Sequence, residues 1–90
     1  MTIIAQIKTT YVVVGHSNVG GYRATGMGKQ RTNRSNQQLS SAENHIVAAE
    51  RLARAILDQI APDERGDWAV EEFDSNDAGT ERLWRLVKIT

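Results

Sequence analysis

One stretch of the chain constrains the fold more than any other: a single helix-forming segment with β-forming sequence on both sides of it. Ser40-Ser41-Ala42-Glu43 has the form of a capping box, with Ser40 as N-cap and Glu43 at the third helical position. Ala42, Ile46, Ala49, Ala53, Ile56, Leu57 and Ile60 then recur at steps of three and four, which predicts one apolar stripe. Glu50–Arg54 and Arg54–Asp58 are spaced as i,i+4 charge pairs on the other side. Pro62 ends the helix near Ala61, so the expected span is 41–61. About 20 helical residues cover roughly 30 Å, enough to cross a small sheet.

The flanks read as strands. The segment 2–14 is rich in β-branched residues, and its odd positions (Ile3, Ala5, Ile7, Thr9, Tyr11, Val13) are the more apolar set. The segment 15–21 reads as a turn. Residues 22–30 alternate, with Tyr22, Ala24, Gly26 and Gly28 on one face and Arg23, Thr25, Met27 and Lys29 on the other. In a hairpin of these two strands, Val13 is expected near Tyr22 and Tyr11 near Ala24. The segment 31–39 is polar and reads as a mobile loop. Strands are expected at 67–73 and 80–89, joined by a turn over 74–79. The sum is one α+β domain over 1–90, β-β-α-β-β: a four-stranded antiparallel sheet with one helix packed on one face.

A lone helix covers one face of a sheet and leaves the other open, so the open face must be polar or must bind something. Its hairpin half is expected to gather Gln6, Lys8, Thr10, Arg23, Thr25 and Lys29. The other half is expected to include Trp84, Leu86 and either Trp68 or Phe73. Trp68 and Trp84 are read as core before interface, although an exposed Trp is a strong interface anchor.

Charge gives the second constraint. The 11 Lys and Arg balance 11 Asp and Glu. The balance hides a split: through Ala42 there are five cations and no acid, a charge of +5. From Glu43 onward there are six cations and 11 acids, a charge of −5. The five early cations, Lys8, Arg23, Lys29, Arg31 and Arg34, are the candidate partner-binding residues, because cations on a strand and loop can track a phosphate backbone. A solvated hairpin is the plain alternative. The acidic second half could meet a basic protein groove, and the two halves could also attract one another across the sheet.

Other chemistry finds little support. The chain has no cysteine, hence no disulfide framework, no Cys-ligated metal and no thiol nucleophile. No apolar run approaches the roughly 20 residues that span a bilayer, and no signal peptide is read. His16 falls in a turn and His45 in the first helical turn, with no metal-binding spacing between them. His45 is expected as a helix flank beside the core. The acids lie mostly in turns and on strand faces, and Asp74-Ser75-Asn76-Asp77-Ala78-Gly79 only loosely follows a calcium loop. Gly26-Met27-Gly28-Lys29 lacks the spacing of a phosphate loop, and its glycines are expected to let the helix approach the sheet. No catalytic residue, metal site or cofactor is expected.

The whole-chain length, the absence of cysteine, the lone helix 41–61 among short strands and the charged loops around it together resemble the small phage-encoded anti-CRISPR proteins that inhibit type I CRISPR–Cas systems. The resemblance rests on no single residue. It implies a non-catalytic, cytoplasmic inhibitor that binds Cas subunits of the crRNA-guided surveillance complex, with guide RNA as a further contact, and blocks target-DNA binding. The strand-strand-helix-strand order also looks like the HicB-type antitoxins, although those append a DNA-binding segment and this chain ends on a strand. The alternative expectation is a small stand-alone nucleic-acid-binding module.

Overall fold

The computed structural model describes residues 2–13, 20–60 and 67–89. His16, Pro62, Asp63, Glu64 and the expected ends at Val14 and Ala61 lie outside the described residues. The elements are β1 (Thr2–Val13), β2 (Gly20–Gly26), β3 (Lys29–Arg34), α1 (Ser41–Ile60), β4 (Trp68–Ser75) and β5 (Glu81–Lys88). All strands form one antiparallel sheet in the order β3-β2-β1-β5-β4, and α1 lies across one face.

The α+β class and the single helix are as expected, but the sheet has five strands rather than four. The expected strand 22–30 is two strands joined by a two-residue turn. Met27 (φ 52°) and Gly28 (φ 73°) both hold the left-handed conformation. Positive φ at both central residues is what a type I′ hairpin turn requires, and its twist suits the flanking strands. The first four residues of the expected loop 31–39 therefore belong to β3. The short connection after it is held by Asn44. The side-chain amide of Asn44 donates to the carbonyls of Asn36, Leu39 and Ser40 at 3.0–3.3 Å, and its Oδ1 accepts the Asn36 N–H at 2.9 Å.

The capping box forms as read. Ser40 Oγ accepts the Glu43 N–H, and Glu43 Oε1 accepts the Ser40 N–H, both at 3.1 Å. The Ser40 backbone N–H, and with it the Ser40 hydroxyl, holds the Glu43 carboxyl below its ordinary range. The buried stripe is rotated from the expected one. His45, Ala48, Ala49, Leu52, Ala53, Ile56 and Leu57 face the sheet, while Ile46 and Ile60 are exposed. Neither Glu50 nor Asp58 forms an ion pair with Arg54. The Arg54 guanidinium sits over Trp68 instead, 5.5 Å from the ring centroid.

The helix-covered face of the sheet supplies Ala5, Ile7 and Thr9 from β1, Tyr22 and Ala24 from β2, and Trp84 and Leu86 from β5. Alanines on both sides, Ala24 against Ala48, Ala49 and Ala53, are fully buried and admit close approach. Each buried Leu or Ile contributes about 1.5–3 kcal/mol. Tyr11 stands opposite Tyr22 and Thr9 opposite Ala24. The β1–β2 register is thus two residues from the expected one, which leaves every face assignment of β1 and β2 intact. The assignment of strand β5 changes: Trp84 and Leu86 lie under the helix, not on the open face. Gly26 makes room for β1 rather than for the helix, since a Cβ there would stand 2.6 Å from the Gln6 carbonyl oxygen.

Candidate nucleic-acid interface

The strand pairing fixes where each candidate cation stands. Thr10, Arg23 and Thr32 are consecutive partners across β1, β2 and β3, and Gly21 pairs with Arg34. Arg23 and Arg34 are therefore diagonal neighbours on the open face, both exposed. Lys8 shares that face, together with Gln6, Thr10, Thr25, Gln30 and Thr32. Lys29 does not. The two-residue turn pairs it with Gly26 and sends it, with Arg31, to the helix side. There Lys29, Gln30 and Arg31 line a cleft of about 360 Å³ floored by Leu52 and Ala55.

The sequence-predicted cations are thus divided between the two faces of one edge hairpin. Sequence reasoning missed Arg51, which joins the helix-side group: its Nη1 donates to Asn33 Oδ1 at 2.9 Å. The signal for it was its place beside Leu52, once the helix stripe is rotated correctly.

Electrostatics separate Lys8 from the rest. Its Nζ lies 2.8 Å from Glu81 Oε1, an exposed pair. Arg23, Lys29, Arg31 and Arg34 form no ion pair with any described residue. No acid occurs between Gly20 and Leu39 to quench them. The opposite end of the open face is acidic and apolar. Glu71, Phe73 and Asp74 stand there, and the Arg85 guanidinium covers Phe73 at 4.1 Å from its centroid. A second cleft of about 360 Å³, lined by Lys8, Asp74, Asn76, Glu81 and Leu83, lies between the two regions.

His45 belongs to the core and not to its flank; it has no exposed surface. Trp84 Nε1 donates to Thr9 Oγ1 at 2.9 Å, and Thr9 Oγ1 lies 2.6 Å from His45 Nδ1. An indole N–H can only donate, so the Thr9 oxygen accepts it, and the Thr9–His45 bond runs in the direction the imidazole tautomer sets. His45 Nε2 is buried and has no hydrogen-bond partner among the described residues. Burial, with the Arg82 charge, pushes the His45 pKa down, against the smaller opposing influence of Gly79 and Glu72.

Among the described residues no group of three or more His, Asp or Glu side chains is placed to hold a metal ion. Likewise, no helix among them is long and apolar enough to cross a membrane. The fold and the basic hairpin define an α+β chain with one helix-covered sheet face and one open face. Comparison with protein-family models, with curated proteins and with solved structures finds no match.

Proposed function

We propose that this chain is a non-catalytic binding protein that docks its β2–β3 hairpin on the nucleic acid of a larger ribonucleoprotein. The type I CRISPR surveillance complex is the case the sequence resemblance suggests, and the outcome there would be inhibition of target-DNA binding. One observation carries the reading: Arg23, Lys29, Arg31 and Arg34 crowd an edge hairpin with no acid to pair them. Unpaired cations release condensed counterions when they meet phosphates, which makes such contact favourable and salt-sensitive. The acidic far end of the sheet would then turn toward basic protein subunits, since like charge keeps it from nucleic acid.

The test is a pull-down of the purified surveillance complex with the chain, followed by a target-DNA binding assay. Arg23→Glu with Arg34→Glu should abolish both capture and inhibition while leaving the thermal midpoint unchanged. A complex that neither binds the wild-type chain nor loses DNA binding would overturn the proposal. Arg23, Arg31 and Arg34 are exposed in the isolated chain, which favours a second reading, a free-standing nucleic-acid module. In that case the chain alone should shift RNA or DNA at low salt. With four phosphate contacts, the slope of log affinity against log salt should be about −3 to −4. Absence of any shift removes the second reading and leaves the first.

A further inference from the structure

The two free edges of the sheet carry opposite charges. β3, with sequence KQRTNR, has Lys29, Arg31 and Arg34 and no acid. β4, with sequence WAVEEFDS, has Glu71, Glu72 and Asp74 and no cation. The strand order puts them at opposite ends, and no described strand pairs with the outer side of either. An unpaired edge is a template for another strand, and charged side chains usually guard it. Here the guard works only between like edges. β3 on β3 would oppose cations, and β4 on β4 would oppose acids, so the symmetric dimers that edge strands commonly make are disfavoured. Between β3 of one copy and β4 of another, the same charges attract.

We propose that copies of this chain associate head to tail, with β3 of one lying along β4 of the next in a continuous sheet. In a five-stranded antiparallel sheet the first and last strands run in the same direction. A second copy with its helix on the same side therefore pairs in parallel. In that arrangement the cations of β3, Arg34 on the open face and Lys29 with Arg31 on the helix side, lie along a strand with acids on the same two faces, Glu71 and Asp74 on the open face and Glu72 on the helix side. The irregularity between Glu72 and Asp74 limits regular pairing to the first part of β4, so the contact is short and the association weak. A head-to-tail contact leaves each copy one edge to offer the next, so it adds copies in a concentration-dependent series rather than stopping at a symmetric dimer. Because it uses cations of the proposed nucleic-acid surface, polyanion and self-association compete.

Sedimentation velocity of the full chain, with no nucleic acid present, tests this. At ~0.02 M salt the weight-average mass should rise with concentration above the 10.0 kDa monomer, and near ~0.5 M salt it should return to it, since screening then acts within a few Å. Two charge-reversed variants sharpen the test. Lys29→Glu with Arg31→Glu and Arg34→Glu makes both edges acidic; Glu71→Lys with Asp74→Lys makes β4 basic. Each variant alone should be monomeric, and an equimolar mixture should associate again, which simple damage to the fold cannot produce. If a multiple variant fails to fold by circular dichroism, Arg34→Glu and Glu71→Arg are used singly and then mixed. Wild-type chain that stays monomeric at low salt overturns the proposal. So does a closed dimer indifferent to charge reversal, or a mixture of folded variants that stays monomeric.

Discussion

The residue with most to say about stability is Thr9. Its hydroxyl is the hub between the Trp84 indole and the His45 imidazole, and all three side chains are buried. Thr9→Val keeps the shape and removes the hub. Each buried polar group left unpaired costs about 1–3 kcal/mol, so the urea midpoint should fall well below that of an equivalent change at half-exposed Thr10. An equal effect at the two positions would show that the bonds to Thr9 add nothing. His45 supplies a pH dependence with a definite sign. Its folded-state pKa is held below the ordinary 6.5, so the unfolded chain takes up the proton more readily. Stability is then complete above about 6.5 and is lost as pH falls below it. Denaturation between pH 7.5 and 5 should show this loss, and His45→Leu should flatten it. Glu43 acts only lower, since its depressed carboxyl stabilises above the ordinary 4.5 and releases that stability as pH falls.

Among the elements, the β2–β3 hairpin is the one that local chemistry least advertises. Met27 holds φ 52°, a conformation that costs a side-chain residue about 1–2 kcal/mol relative to ordinary backbone. Asn tolerates it better, and Asn-Gly is the preferred type I′ pair. Met27→Asn should therefore raise the thermal midpoint by a few degrees, with no change in partner binding. A lower midpoint would mean that the exposed Met27 side chain contributes packing of its own. The hairpin also shows why part of the fold was hidden. Strands β1, β4 and β5 and the helix cap were legible because β-branched runs, turn residues and Ser40/Glu43 each carry a local signal. β3 has no aliphatic residue, since as an edge strand it meets only part of the helix and has water on its other side. Its six residues look like loop to any reading of hydrophobic period. The helix stripe was misplaced for a related reason. Apolar residues cover more than half its circumference from Ile46 to Ala49, and the face actually buried includes a histidine, which hydropathy does not select.

For the whole molecule, the zero net charge resolves into a sheet with a basic edge and an acidic edge. The +5 and −5 halves could be counted from the sequence. That β3 and β4 fall at opposite edges could not, because it depends on β1 and β5 pairing at the centre and pushing β3 and β4 outward. Four strand spacings of about 4.8 Å separate the edges by roughly 19 Å. That is about twice the screening length at 0.1 M salt. The two edges therefore add little to any attraction between the two halves across the sheet. Lys8–Glu81 is the ion pair that joins them among the described residues, and both partners are about half exposed. Such a pair contributes at most about 1 kcal/mol. The thermal midpoint should accordingly move little between ~0.05 and ~0.5 M salt, while any contact made through the basic edge weakens steeply over the same range. A midpoint that falls in parallel with binding would place the charge split in the fold's own stability. A steady midpoint with collapsing affinity assigns it to what the edges meet outside the chain.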